Sequence, residues 1–187
     1  YGADNIPTEG ACVIAANHTS FLDSLALCAA LPPSIAFVAK RELADERIAG
    51  PFLRRLGTAF VERFDPAEGL ADTERLIRSL HSGESLVFYP EGTFDRMPGL
   101  RRFHMGAFMA AAQSGTPVVP AAIRGSRSIL RADSSFPRKA TITITFSAPA
   151  LPGGSGWNAA LALKDSVRQA ILEACGEPDL VYEPTPI

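Results

Sequence analysis

The sequence lacks the features that mark several common protein classes. Its three cysteines are scattered and odd in number, which excludes a disulfide framework and a paired-cysteine metal site and fits a reducing compartment. A net charge of −2 argues against a general nucleic-acid binder. The G-x-S-x-G elbow of serine hydrolases is absent, as are the Walker A and G-x-G-x-x-G phosphate loops. The function must therefore rest on other residues.

Long apolar runs are also missing, because prolines and glycines interrupt each of the three uncharged stretches. These stretches are Ser24–Ala39, Phe103–Ile123 and Ala140–Leu163, and none is expected to span a bilayer. The mean hydropathy is nevertheless +0.10, which is apolar for a soluble domain. We therefore expect a protein that rests on a membrane surface or holds a long apolar ligand. Because the chain begins at Tyr1, we expect it to be a piece of a longer protein, with any membrane anchor outside it.

Short β-branched runs alternate with longer helical patterns along the chain. The predicted strands are Cys12–Ala16, Ile35–Ala39, Thr58–Val61, Ser85–Tyr89, Val118–Ile123 and Thr141–Phe146. The predicted helices are Ser20–Leu31, Ala67–Leu80, Gly106–Gln113 and Trp157–Ala174. This alternation predicts one α/β domain over residues 1–187, with a largely parallel mixed sheet flanked by helices and an extended tail at 177–187. In such sheets, functional sites lie at the carboxyl ends of the strands.

Basic residues are concentrated in one part of the chain. Between Thr93 and Lys139 the sequence has eight basic and two acidic residues, so the remainder is strongly acidic. A local excess of positive charge is typical of a site for a phosphorylated substrate, a nucleotide-bearing cofactor or an anionic lipid surface. A solvated basic face without a ligand explains the charge equally well.

The segment Asn17–Asp23 directly follows the first predicted strand and holds a histidine and an aspartate five residues apart. His18 and Asp23 would not share a face of one helix, so they meet only if His18 lies in the loop and Asp23 in the first helical turn. A carboxylate that touches an imidazole fixes its tautomer, as a general base requires. The structural alternative is a Ser20-x-x-Asp23 capping box beside an ordinary strand-end histidine.

Three further strands end in polar residues that suit a substrate site. Arg63 follows GTAFVE, the strand FYP leads into Glu91-Gly92-Thr93, and Pro120 and Arg124 lie in VVPAAIRG. Taken singly, each has a plain structural explanation. Arg63 is then a solvated charge, Glu91-Gly92 an ordinary turn, and Pro120 an edge-strand proline.

Together, NHTSFLD, GTAFVER, FYPEGT and VVPAAIRG resemble the four sequence blocks of the lysophospholipid acyltransferases, over about residues 2 to 150. The resemblance implies a glycerolipid acyltransferase-like fold, with His18 as catalytic base and Asp23 as its partner. It implies that Arg63 and Glu91-Gly92-Thr93 hold a phosphorylated acceptor, and that the Pro120 block, which ends at Arg124, shapes the acyl-donor side. Family members often have arginine directly after EGT. Here Phe94-Asp95 intervene before Arg96, which puts contact between Arg96 and the acceptor phosphate in question.

The expected function is transfer of a fatty acyl group from acyl-CoA or acyl carrier protein to the hydroxyl of a lyso-phospholipid such as lysophosphatidic acid. No bound cofactor, metal or nucleic acid is expected, and the enzyme should be peripheral on the cytoplasmic side of a membrane. Other domains of the full-length chain are possible partners. The alternatives are a noncatalytic lipid-binding or regulatory module of the same fold, and a thioesterase that uses His18-activated water.

Overall fold

The structure is a computed structural model that describes residues 1–32, 34–47, 49–62, 66–94, 97–129 and 138–181. Its strands are β1 (Val13–Ala16), β2 (Ile35–Lys40), β3 (Ala59–Val61), β4 (Ser85–Phe88), β5 (Val118–Arg124) and β6 (Thr143–Phe146). Its α-helices are α1 (Leu22–Ala30), α2 (Ala49–Arg55), α3 (Pro66–His81), α4 (Gly106–Ser114), α5 (Ser126–Ile129) and α6 (Trp157–Cys175). Short 3-10 helices cover Ala3–Asn5 and Arg41–Ala44.

One sheet of six strands organises the chain, in the order β3-β2-β4-β1-β5-β6. Strand β1 lies at its centre, where Ile14 pairs with Val87 of β4 on one side and with Val119 of β5 on the other. All neighbouring pairs are parallel except β5 with β6. The carboxyl ends of β4, β1 and β5 therefore meet at the middle of one sheet edge, where polar side chains from three loops can converge.

The direction of each crossover decides which face of the sheet its helix covers. The chain first moves from β1 out to β2 and β3, and then returns through β4 to β5. Right-handed crossovers place helices on opposite faces when the direction reverses. Accordingly α1, together with Leu56 just after α2, packs on Ile14 and its neighbours, whereas α3, α4 and α6 pack on Val13 and its neighbours. The apolar core thus lies on both faces of the sheet, so the functional site is expected at the carboxyl edge.

The predicted α/β fold with a largely parallel mixed sheet is confirmed, and each predicted strand and helix is present with ends that differ by at most two residues. The sequence reading missed α2, because this seven-residue helix contains Gly50 and Pro51 and shows no helical periodicity. Gly50 is needed there, since a Cβ at this position would lie 2.3 Å from the carbonyl oxygen of Ala44. Among the described helices, none combines the length and the apolar character that a membrane crossing requires.

Candidate active site

Three loops converge at the carboxyl edge of the sheet. The β1 loop (residues 17–21) follows the central strand and carries His18. The β4 loop, whose described residues are 89–94 and 97–101, follows the neighbouring strand and carries Glu91. On the other side, β5 leads through Gly125 into α5, which begins at Ser126. Parallel pairing of these strands brings the loops together, as the sequence predicted.

His18 and Asp23 are in direct contact. The Nδ1 atom of His18 lies 3.0 Å from Oδ2 of Asp23, and the carboxylate is fully buried. The same oxygen accepts hydrogen bonds from the backbone N–H groups of Thr19 (2.6 Å) and Ser20 (2.8 Å). Asp23 lies in the first turn of α1, where the helix dipole favours a negative charge. Because Asp23 occupies Nδ1, Nε2 is the ring nitrogen that can exchange a proton with a substrate.

The capping-box alternative is partly realised and does not compete with the His18–Asp23 contact. The backbone N–H of Ser20 donates to Asp23 as a capping box requires, but the Ser20 hydroxyl accepts from the N–H of Leu22 (3.2 Å). One carboxylate oxygen therefore both closes the β1 loop and orients the imidazole. Within the described residues the other oxygen, Oδ1, has no hydrogen-bond partner.

Aromatic side chains fix the plane of the His18 ring. Tyr89 stacks on it with ring centroids 4.1 Å apart, and Phe94 meets it edge-on at 4.6 Å. The Tyr89 hydroxyl is 3.2 Å from the Ser24 hydroxyl, and burial raises the pKa of Tyr89. Phe21 packs edge-on against Phe94 but is 72% exposed, so an apolar rim borders the imidazole. The His18 side chain itself remains 16% exposed, which leaves the ring accessible at the surface.

Glu91 is a buried carboxylate that joins the β1 loop to the β4 loop. Its Oε1 accepts from the backbone N–H of His18 (2.7 Å), and its Oε2 accepts from the backbone N–H of Arg101 (2.9 Å). Burial raises the pKa of Glu91 from 4.5 to about 7, although both amide bonds oppose this shift. Both oxygens are bonded to the backbone, so this side chain holds the two loops together, and a contact between Glu91 and an acceptor stays a prediction.

Two polar contacts that the sequence reading missed tie β1 to β5. Asn17 donates to the carbonyl of Ile123 (3.0 Å) and accepts from its N–H (2.6 Å), so its side chain pairs with that residue as a neighbouring strand would. The hydroxyls of Thr19 and Ser126 lie 2.8 Å apart and are buried. The two partners of each pair are more than 100 positions apart in the chain, so no local sequence pattern could have shown these contacts.

The remaining predicted site residues lie partly at the edge of the site and partly inside the sheet. Gly92 turns the chain with a φ of 77°, and Thr93 is exposed at the edge of the site. Pro120 is buried in β5 opposite Ala15, so it belongs to the sheet interior and not to an edge strand, and its part in shaping the acyl-donor side stays a prediction. Its missing N–H removes one hydrogen bond beside the start of the β5–β6 pairing at Ala121, while its carbonyl oxygen still accepts from the N–H of Ser147 (2.9 Å).

Arg124 ends β5 and places its guanidinium against the carboxyl end of α6. A Cβ on Gly176 would lie 3.0 Å from the Arg124 Cζ atom, and a cation there suits the negative end of the helix dipole. The guanidinium thus lies beside the end of α6, and a contact between Arg124 and the acyl donor stays a prediction. Arg63 and Arg96, which the sequence assigned to the acceptor, lie outside the described residues.

Within the described chain no three His, Cys, Asp or Glu side chains cluster as a metal site would require.

This geometry defines an α/β protein in which a buried carboxylate holds an imidazole at the carboxyl edge of a largely parallel sheet. Residues 1–124 match the family model described as Acyltransferase, and the chain therefore belongs to the acyltransferase family. The match ends at the last residue of β5 and so contains β1, β4 and their loops.

Curated relatives carry related names. The chain is 33% identical over 130 residues to the chloroplastic 1-acyl-sn-glycerol-3-phosphate acyltransferase BAT2 of Brassica napus, covering 69% of this chain and 38% of that protein. It is 33% identical over 131 residues to the 1-acyl-sn-glycerol-3-phosphate acyltransferase of Bacillus subtilis, covering 68% and 63%. It is 36% identical over 108 residues to the lyso-ornithine lipid O-acyltransferase of Pseudomonas aeruginosa, covering 58% and 41%.

A solved structure supports the same fold. The 1-acyl-sn-glycerophosphate (LPA) acyltransferase PlsC of Thermotoga maritima matches the whole chain and 73% of its own, with a TM-score of 0.74 and 22% identity. The chain spans between 38% and 63% of the length of the three curated relatives described above.

Proposed function

We propose that this protein transfers a fatty acyl group from an acyl thioester to the hydroxyl of a lyso-phospholipid, with lysophosphatidic acid as the first candidate acceptor. The observation that carries the proposal is the 3.0 Å contact between His18 and the buried Asp23 at the carboxyl edge of the sheet. The names of the curated relatives support the acceptor class, since most denote enzymes acting on 1-acyl-sn-glycerol-3-phosphate and one denotes a lyso-ornithine lipid enzyme.

The proposed mechanism uses a single proton carrier. Nε2 of His18 takes the proton from the acceptor hydroxyl while the hydroxyl oxygen attacks the thioester carbonyl. Asp23 keeps the ring oriented through Nδ1 and stabilises the imidazolium that forms. The tetrahedral intermediate then expels the thiolate, which has a conjugate-acid pKa near 8.5 and leaves readily. The imidazolium returns its proton to the thiolate, so the enzyme ends in its starting state.

Substrate contacts are assigned by residue chemistry and by the family resemblance. We propose that Arg63 and Arg96 bind the acceptor phosphate, with the exposed Thr93 three positions before Arg96 and with Gly92 allowing close backbone approach. Arginine suits this role because its planar fork grips phosphate through two parallel hydrogen bonds. The donor is acyl-CoA or acyl carrier protein, and both carry phosphate that suits the exposed basic residues Arg102, Arg138 and Lys139.

The proposed place of action is a membrane surface, on its cytoplasmic side. The acceptor has one acyl chain and resides in a bilayer, and apolar side chains are exposed beside the catalytic edge. Phe21 is 72% exposed, Met97 in the β4 loop is 68% exposed, and Leu25 on α1 is 49% exposed. Burial of such side chains in the lipid interface is energetically favourable.

Mass spectrometry of the products tests the proposal. The protein is incubated with isotopically labelled acyl-CoA or acyl carrier protein and with a panel of lyso-phospholipids, lyso-ornithine lipid included. We expect labelled diacyl product from at least one lyso-phospholipid and none from the His18→Ala variant. If only lyso-ornithine lipid gives a diacyl product, the acceptor is lyso-ornithine lipid and not a lyso-phospholipid. The absence of any acylated lipid favours a noncatalytic lipid-binding module.

A further inference from the structure

A buried arginine on α6 grips the backbone of the β4 loop. Arg168 is 9% exposed, and its two terminal nitrogens donate to the two carboxylate oxygens of Asp179. The same guanidinium donates to the carbonyl oxygens of Leu100 (3.0 Å, from Nη2) and Arg101 (3.1 Å, from Nε). Arg168 and Asp179 lie outside the four sequence blocks and beyond residues 1–124, which the family model matches.

The tail after α6 holds the same stretch of the β4 loop from the outside. The backbone N–H of Leu100 donates to the carbonyl of Pro178 (2.8 Å), and the N–H of Leu180 donates back to the carbonyl of Leu100 (3.2 Å). The N–H of Gly99 donates to the Glu177 carboxylate (2.6 Å). The predicted extended tail is thus a pairing segment in its described part, and Arg168 lies between the tail and the loop.

A short series of contacts connects this clamp to the imidazole. Arg101 accepts from Arg168 through its carbonyl and donates to Oε2 of Glu91 through its N–H. The other oxygen of Glu91 accepts the backbone N–H of His18. Displacement of Arg101 would therefore shift Glu91, and Glu91 would shift the backbone of the residue that exchanges the proton.

We propose that Arg168, held by Asp179, is a positioning residue for the acyl-transfer reaction, and that it acts on His18 through Arg101 and Glu91. The proposal rests on the proposed function of His18 as general base. Its physical basis is the rigid guanidinium fork, which satisfies two carboxylate oxygens and two carbonyls at once and which lysine cannot reproduce. Geometric errors of about 1 Å at a reacting centre are enough to lower a rate by up to roughly a hundredfold.

A double-mutant cycle separates positioning from mere stability. The variants are Arg168→Met, Glu91→Gln and their combination, with Gln169→Met as control because Gln169 is exposed on the same helix and bonds only to its surface neighbour Glu173 in the described chain. The kcat is measured at saturating donor and acceptor, at a temperature where circular dichroism shows every variant folded. Arg168→Met is expected to lower kcat about tenfold or more and to leave the donor KM within about threefold, whereas the control keeps the parent kcat.

Coupling is the decisive result. If Arg168 acts through Glu91, the double variant should fall no more than about threefold below the slower single variant. Independent effects that multiply, or a parent-like kcat in Arg168→Met, overturn the proposal. If Arg168→Met does not fold, Asp179→Asn replaces it in the cycle, since it loosens the fork but keeps both carbonyl bonds, and the same two outcomes decide.

The same experiment distinguishes this inference from the function on which it rests. His18→Ala is assayed in parallel. If His18→Ala retains the parent rate, the proposed general base is wrong and the positioning proposal falls with it. If His18→Ala is inactive while Arg168→Met keeps the parent kcat, the proposed function stands and only the positioning proposal is overturned.

Discussion

The β1 loop and the β4 loop lie side by side at the carboxyl edge of the sheet but are held in place in different ways. The β1 loop is closed on itself by Asp23, which accepts hydrogen bonds from three groups within five residues of it, and it is also tied to Glu91 and to β5 and α5. The β4 loop is fixed by groups 67 to 80 positions away, on α6 and in the tail after it. His18, the proposed base, therefore lies on a loop whose turn is closed locally by Asp23, while the loop that supports it depends on the end of the domain.

This difference has an energetic consequence. A side chain in the β1 loop that faces the site can be removed without unfolding the loop, because the backbone bonds to Asp23 remain. A change in the β4 loop disturbs contacts that also join α6 and the tail to the rest of the fold. Substitutions of side chains that face the site in the first loop should alter activity alone, and substitutions in the second loop should alter activity and stability together.

The largest expected effect is that of His18→Ala. Loss of the proposed general base should lower kcat by about 10²–10⁴-fold, the usual contribution of such a group. The free energy of unfolding should change little, because the amide bonds of Thr19 and Ser20 to Asp23 persist. Steady-state kinetics and urea denaturation measure the two quantities, and a turnover within threefold of the parent would remove His18 from its assigned role.

The next effect is a pH dependence of stability that arises in the β4 loop. Folding raises the pKa of Glu91 from 4.5 to about 7, so between these values the unfolded chain has released a proton that the folded chain retains. The free energy of unfolding should therefore fall as pH rises from about 4.5 to about 7, by at most ~3 kcal/mol for this group, and then level off.

Glu91→Gln provides the control for that pH dependence. Glutamine cannot titrate, so the fall assigned to residue 91 should be missing from its denaturation curves between pH 4.5 and pH 7. The amide also offers a single oxygen to two backbone N–H groups, so its activity should be lower than the parent's at every pH. Identical pH profiles of stability in the parent and Glu91→Gln would show that Glu91 does not titrate in this range.

Gly99→Ala tests how strongly the β4 loop depends on the tail. Gly99 has a φ of 142°, and a Cβ there would lie 2.3 Å from Cγ of Leu180. The substitution should destabilise the protein by about 1–3 kcal/mol and lower kcat as well. Gly153→Ala is the matched control, since a Cβ at Gly153 meets no atom within 4 Å. Equal stability of the two variants would mean that the contact between tail and loop contributes little.

A smaller effect is expected at the tie between the β1 loop and α5. Ser126→Ala leaves the buried Thr19 hydroxyl without its partner, which should cost about 1 kcal/mol or more of stability. Ser128→Ala, at an exposed position of the same short helix, should cost almost nothing. Thermal unfolding measures both, and a Ser126→Ala variant as stable as Ser128→Ala would show that the hydroxyl pair is energetically silent.

No loss of activity is expected on exhaustive EDTA treatment. The proposed mechanism needs a base and a thiolate leaving group, and the three histidines show no metal-ligand spacing in the sequence. Activity is compared before and after chelation and after readdition of zinc. Loss of activity on chelation, with recovery on addition of zinc, would show that His18 and Asp23 are metal ligands. The comparison of the two loops would then no longer hold.

The features that the sequence predicted are those determined by short-range patterns. The strand and helix periodicities gave the fold, and the five-residue spacing from His18 to Asp23 gave a contact that requires only a loop followed by a helical turn. The position of Glu91 was predicted, but its partners were not, because one is the N–H of His18 and the other the N–H of Arg101. Arg168 was not predicted at all, since an arginine on an amphipathic helix is indistinguishable in sequence from a solvated one until Leu100 and Asp179 are placed beside it.

Thiol release from the acyl donor, measured with and without acceptor, tests the central claim that His18 activates the hydroxyl of a lipid and not water. The account predicts slow release from acyl-CoA alone, an acceleration of about tenfold or more on addition of lysophosphatidic acid, and loss of that acceleration in His18→Ala. Each thiol released in the presence of acceptor should appear as one molecule of diacyl lipid. Full-rate release without any acceptor, with free fatty acid as the product, would contradict the account and identify a thioesterase.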